Sequence, residues 1–184
     1  MKPLKILEER EVFRMGDRYS VVEVDLETPG GDKTTWSYFK VKHGAVIVPI
    51  DEDRNTYIKK EWRLSRKDFT WEFASGWVDE AKDELPTTEE IITAANRELQ
   101  EEIGLKAEKL NKVKSFYVAN HANNQFHIVI AKDLSESKLE GDEHEYLDVR
   151  RVSVDEARRI LLEDQVPTAQ TEIAFHELEK ELNL

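Results

Sequence analysis

Arg97-Glu98-Leu99-Gln100-Glu101-Glu102-Ile103-Gly104 ends a helical pattern on three carboxylates and a glycine, and the rest of the chain is organised around it. The last turn of a helix carries partial negative charge, so acids there are destabilising where Lys or Arg would be stabilising. No Lys or Arg follows Arg97 in that turn, so the pattern asks for a cation from outside the helix. At about 100° per residue, Glu98, Glu101 and Glu102 fall within a sector of about 100° and converge on one patch. A hard divalent cation with oxygen ligands neutralises such a patch. The competing reading is a solvated acidic face with Arg97 and Glu101 as an ordinary i,i+4 pair.

Upstream, Pro86-Thr87-Thr88-Glu89-Glu90 supplies the helix start, with Thr87 and Glu90 at capping-box spacing. Ile91, Ile92, Ala95, Leu99 and Ile103 recur at helical spacing and predict one core-facing stripe. Glu102 projects within that stripe while Glu98 and Glu101 run along its flank, which places the acids where core meets solvent. That placement favours the metal reading.

β-like runs surround this helix. Val21 to Leu26 and Thr34 to Val41, joined by Pro29-Gly30-Gly31-Asp32, predict a hairpin. Ala45 to Ile50, Thr56 to Trp62, Val113 to Val118 and Phe126 to Ala131 predict further strands, the last apolar enough for burial on both faces. Ser153-Val154-Asp155-Glu156 starts a helix to about Leu162, and Thr168 to Leu182 forms another. The order predicts an α/β fold, a mixed sheet with helices on its faces.

The 184 residues suit one domain with a sizeable core. With 27 basic and 39 acidic side chains the net charge is −12, which argues against a general nucleic-acid or anionic-membrane binder. The chain has no cysteine, hence no disulfide and no thiolate nucleophile, which fits a reducing compartment. Its first residues lack the apolar core of a signal peptide, and no apolar run approaches a membrane span. A cytoplasmic protein is the expectation.

Arg97-Glu98-Leu99-x-Glu101-Glu102-x-Gly104-Leu105, with Glu89 eight residues before Arg97, resembles the second half of the Nudix box, the signature of hydrolases acting on nucleoside diphosphates linked to another group. The family's opening glycine should lie six residues before Glu89, where this chain has Asp83; Gly76 is the equivalent, and Trp77 to Pro86 reads as a lengthened loop. His43-Gly44-Ala45-Val46, Glu61-Trp62-Arg63 and Trp71-Glu72-Phe73-Ala74-Ser75-Gly76 extend the likeness to the ADP-ribose and nucleotide-sugar pyrophosphatases.

The resemblance implies a Nudix-type α/β/α sandwich around a mixed β-sheet. It divides the chain into an N-terminal β-hairpin region, residues 1–42, for dimerisation and nucleotide contact, and a hydrolase domain, residues 43–184, within one structural domain. It implies magnesium, with manganese as a substitute, held by Glu98, Glu102 and the Ser75 carbonyl, with Glu101 as a further ligand. Gly141-Asp142-Glu143-His144-Glu145 matches a Glu-x-Glu loop of the subgroup, which makes Glu143 the general-base candidate and Glu145 an auxiliary ligand. Arg97 and Glu101 complete the catalytic candidates. Magnesium acidifies the attacking water, so a carboxylate suffices as base.

For substrate, the likeness implies stacking of a nucleobase on Trp36, against the plainer role of a core or interface aromatic. Arg63 suits a diphosphate because a guanidinium reaches two oxygens at once. Glu72 is open between a metal-shell acid and a structural partner, His121 sits in a loop that can border the pocket, and His127 reads as a core histidine. Ala119 and Asn120 stand where ADP-ribose pyrophosphatases carry a proline, so the choice among nucleoside diphosphate sugars stays open. The expected partner is thus a nucleotide-sugar-type small molecule bound by a homodimer, with no nucleic acid and no membrane. Removal of aberrant nucleoside triphosphates, and a non-catalytic domain sensing nucleotide sugars, are the alternatives.

Overall fold

The computed structural model of the protein describes residues 3–79, 85–141 and 147–184. The chain divides into two compact units: residues up to Lys42 joined by Tyr117–Gln125, and His43–Phe116 joined by Phe126–Leu184.

The first unit is a three-stranded antiparallel meander of β1 (Lys5–Met15), β2 (Tyr19–Glu27) and β3 (Lys33–Val41). The expected hairpin is present as β2 and β3, with Val24 opposite Trp36. β1 is an addition to it. Its residues are exposed on both faces apart from Arg10, so the period of two that marks a half-buried strand is missing. Register shifts at Ile6/Glu8 and Glu11/Phe13 break what alternation is left. Val22, Val24 and Leu26, with Leu4 and Tyr38 against them, form the small core of this unit. The segment 117–125 is held to β3: the Phe39 amide donates to the His121 carbonyl at 2.8 Å, and the Val41 amide to Asn123 Oδ1 at 2.9 Å.

The second unit has a four-stranded sheet in the order β7 (Ala74–Trp77), β4 (Gly44–Pro49), β9 (Gln125–Glu136) and β8 (Leu105–Tyr117). β4 pairs parallel to β9 and antiparallel to β7, so the sheet is mixed as expected. One face, through Ala45, Ile47, Ala74, Val129 and Ala131, packs on α1 (Thr88–Glu98) at Ile91, Ala94, Ala95 and Leu99. The other face, through Val46, Val48, Ile128 and Ile130, packs on α2 (Val154–Arg158) and α3 (Ala169–Leu182), giving α/β/α layers. Beside it lies a second antiparallel sheet of β10 (Asp148–Val152), β5 (Thr56–Arg63) and β6 (Asp68–Glu72). β6, β7 and β10 are short strands beyond those predicted, and β8 begins directly at Leu105 rather than at Val113.

α1 is capped as its sequence dictates, with the Glu90 amide donating to Thr87 Oγ1 and the Thr87 amide to the Glu90 carboxylate. Its core stripe uses Ala94 where Ile92 was expected, the latter being only half-buried. Residues Leu99–Ile103 then continue it as a π-helical turn, closed by the Gly104 amide donating to the Leu99 carbonyl at 3.1 Å. Gly104 ends the turn at φ 83°, a left-handed conformation that suits glycine.

Candidate active site

The extra residue in the π turn swings Glu102 off the α1 axis and onto β5 and β7. Glu102 is 4% exposed. Its Oε2 accepts from the Ser75 amide at 2.8 Å, while its Oε1 meets the ammonium of Lys59. Burial pushes its carboxyl up to about 7, against the opposing pull of Lys59 and the Ser75 amide. Glu98, one turn earlier, lies against Gly76: a Cβ at that glycine would overlap the Glu98 carboxyl. Two carboxylates from α1 and its π turn thus converge on the Ser75-Gly76 backbone, the middle of β7, where it pairs with Val46 and Ala45 of β4.

Arg97 stands on the outer side. One guanidinium nitrogen reaches Glu101 Oε2 at 2.7 Å, and the other lies 2.7 Å from Glu98 Oε1 and donates to the Trp77 carbonyl at 3.2 Å. The i,i+4 pair of the plainer reading therefore exists, within a cluster that also holds the buried Glu102. The cation that the helix end lacked locally is also supplied in part by distant residues. Besides Lys59, Lys138 donates to the Glu101 carbonyl, Ser137 to the Gly104 carbonyl at 2.9 Å, and the Leu139 amide to the Gln100 carbonyl at 3.4 Å. These are carbonyls that a helix end leaves without intrahelical partners. The same segment brings Gly141 beside Glu101, with 3.6 Å between a Cβ placed on the glycine and the Glu101 carbonyl oxygen.

On the inner side, the strand period of two aligns Lys59, Glu61 and Arg63 on one face of β5, and Glu72 stands opposite Lys59 in β6. Lys59 Nζ lies 2.6 Å from Glu61 Oε2 and 3.7 Å from Glu72 Oε1, and Arg63 joins Glu61 at 2.9 Å and contacts Glu72 directly. Lys59 is 1% exposed. Burial lowers its pKa, but Glu102, Glu72 and Glu61 outweigh that and hold it up at about 12. Neither Lys59 nor Glu61 was among the sequence candidates; the alternation Lys59-x-Glu61-x-Arg63 was the available signal, and Glu72 is their partner.

Of the remaining candidates, Trp36 (57% exposed) and His121 belong to the first unit, where the His121 ring meets Phe39 edge-on at 5.8 Å. Glu143 and Glu145 lie outside the described residues. For Ser75, the described contact is its amide, which donates to the Glu102 carboxylate. His127 is buried as expected but only half satisfied: Nδ1 pairs with Ser115 Oγ at 2.8 Å, and Nε2 has no hydrogen-bond partner among the described residues.

Among the described residues no group of three or more acids or histidines is gathered as a metal cage. The donor set nonetheless fits magnesium or manganese. All its donors are hard oxygens, and magnesium is commonly held by one or two carboxylates, with water and substrate phosphate completing its shell. Glu98 and Glu102 are such a pair, and the missing Cβ of Gly76 leaves space for the first of them.

A sequence profile of the NUDIX domain matches residues 41–173. The chain is 32% identical over 132 residues to the ADP compounds hydrolase NudE of Escherichia coli K12, covering 70% of this chain and 67% of that one. It is 26% identical over 183 residues to the ADP-ribose pyrophosphatase of Bacillus subtilis 168, covering 96% and 95%. A crystal structure of an ADP compounds hydrolase superposes with a TM-score of 0.84 at 26% identity, over 100% of this chain and 96% of the other. The acidic turn against a glycine-bearing strand, within α/β/α layers and under a profile spanning most of the chain, makes this protein a member of the Nudix hydrolase family.

Proposed function

We propose that the protein is a magnesium-dependent pyrophosphatase for a nucleoside diphosphate linked to another group, ADP-ribose or another nucleotide sugar, yielding a nucleoside monophosphate and a sugar phosphate. The observation that carries this reading is the convergence of Glu98 and Glu102 on Ser75-Gly76. It is supported by two relatives whose names specify ADP compounds and ADP-ribose as substrates.

Glu98 and Glu102 would hold the divalent ion, with Glu101 and Glu145 as further ligands, and the ion would supply charge neutralisation for the phosphoryl oxygens. Arg97 keeps Glu98 and Glu101 aimed at the site through its two ion pairs. Glu143 takes a proton from water as the water oxygen bonds to one phosphorus. The bridging P–O bond breaks, and its electron pair leaves with the second phosphate ester. Arg63, bound at rest to Glu61 and Glu72, offers a planar fork to the diphosphate, and Glu72 releases it. Trp36 stacks the nucleobase and His121 borders it. The protein acts as a cytoplasmic homodimer, in keeping with its cysteine-free sequence and the exposed apolar side chains Ile6, Val12 and Phe13 of β1.

A screen of nucleotide sugars, dinucleotides and nucleoside triphosphates with magnesium tests the reaction. Inorganic phosphate should be released from a nucleotide sugar only after a phosphatase is added, since both products are monoesters. Turnover confined to triphosphates, with pyrophosphate released, would overturn the assignment.

A further inference from the structure

The most deeply buried ionisable side chain of the site has no part in the reaction above. Lys59 brings its ammonium from β5 into a ring of three carboxylates: Glu61 at 2.6 Å, Glu72 at 3.7 Å and Glu102 in direct contact. An ammonium has three donors, one for each of these acids. Three hard oxygen donors around one cation is also an arrangement that a divalent ion accepts. Glu102 is shared: one oxygen faces Lys59, the other the Ser75 amide on the side of Glu98.

We propose that Lys59 is an internal counter-cation that fills the inner half of this acidic cluster, confining divalent metal to the outer half at Glu98 and Glu102; exchange for a neutral side chain opens a further metal site at Glu61, Glu72 and Glu102. The outer half of this statement rests on the metal reading proposed above. Charge supports the division. Among the described residues, Glu61, Glu72, Glu98, Glu101, Glu102 and the further Arg97 partner Asp79 contribute six negative charges, and Lys59, Arg63, Arg97 and Lys138, which reaches the Glu101 carbonyl, four positive ones. Two negative charges are left, the charge of one divalent ion. Without Lys59 a third is left in a place closed to bulk water, where an uncompensated charge is costly and a cation of any kind is favoured. A divalent ion entering while Lys59 is present would instead meet a like charge within contact distance of the same oxygens.

Manganese binding to the full-length protein, counted from the spectrum of free Mn2+ by electron paramagnetic resonance, tests this directly. Lys59→Met should bind one more ion per chain than the wild type, and Lys59→Arg, which keeps the charge, should bind the wild-type number. Equal counts for wild type and a folded Lys59→Met overturn the proposal. Should Lys59→Met be unfolded without metal, Mn2+ should restore its circular dichroism spectrum; failure to do so at saturating Mn2+ counts against it. Glu72→Gln gives an independent check, because Lys59 stays in place and the count should not change; loss of an ion there overturns the division. A wild type that binds no Mn2+ refutes the metal reading of Glu98 and Glu102, whereas the Lys59 claim is decided by the difference between variant and wild type.

Discussion

Gly76→Ala isolates the placement of Glu98 without touching a charged group. Gly76 pairs with Ala45 across β7 and β4, and it is absent from the glycines at positive φ, so alanine fits the backbone. At a compatible position Gly→Ala stabilises by about 0.4–1 kcal/mol through the unfolded chain. The nearest atoms it displaces are those of the Glu98 carboxyl, the far end of a flexible side chain that can swing aside. The fold should therefore survive, while one of the two carboxylates proposed to hold metal loses its position. Disturbing the surroundings that orient a ligand typically weakens metal binding about 10- to 100-fold. At a metal concentration of about 100 times the wild-type Kd, mass action adds about 2.7 kcal/mol to wild-type stability. The variant would gain only about 0.4–1.4 kcal/mol at the same concentration. At about 2–4 °C per kcal/mol for a chain of this size, its metal-induced rise in Tm should be about 3–9 °C smaller. Thermal unfolding with and without Mg2+, together with calorimetric titration of Mn2+, reads both quantities. Metal affinity within twofold of wild type in a folded Gly76→Ala would refute the placement of Glu98 in the metal site.

Three other outcomes are expected. Glu143→Gln should lower kcat by about 10²- to 10⁴-fold with the Mg2+ concentration for half-maximal rate unchanged; a near wild-type kcat at saturating Mg2+ would pass the base role to Glu101. Trp36→Ala should raise KM more than it lowers kcat, because stacking is felt alike in ground and transition states, and an unchanged KM would leave Trp36 with a purely structural part. His127, 2% exposed, is held by burial at a pKa of about 4, below the ordinary histidine value of 6.5. The unfolded chain therefore binds the extra proton first, and stability should fall as pH drops from about 6.5 to about 4, by about 3 kcal/mol in all. Urea unfolding of wild type and His127→Gln at pH 7 and pH 4.5 checks this, and an equal loss in both proteins would remove His127 as the cause.

How far the fold could be read in advance depended on how one-sided each element's burial is. α1 was legible because its caps are local and its apolar face meets a single layer. β4 and β9 were legible because they are buried on both faces, so continuous apolar runs mark them. β1 was not, because a strand exposed on both faces needs no hydrophobic pattern. β10, five residues with only Val152 buried, gives too short a signal. The π turn was equally hidden. Leu99 to Ile103 are acceptable in any helix, and what selects the wider turn is tertiary: the carbonyls of Gln100, Glu101 and Gly104 are taken by Ser137 to Leu139.

The acidic turn shows both the reach and the limit of a local electrostatic argument. Three acids at a helix C-terminus do demand cations, and the structure supplies them, but only Arg97 lies where an i,i+3 or i,i+4 rule can find it. Lys59 comes from a strand 43 residues before Glu102, and Lys138 comes from 37 residues beyond Glu101. Such partners are fixed by strand register and by the path of β9, neither of which charge patterning encodes. The two kinds of cation also differ in consequence. Lys138 reaches a backbone carbonyl and leaves the Glu101 side chain to Arg97, so it can stabilise the turn without occupying a carboxylate. Lys59 takes an oxygen of Glu102 itself. A divalent ion at the outer oxygen, as proposed, would share that carboxylate with a fixed charge from the interior, and its affinity would depend on a residue that need never touch it.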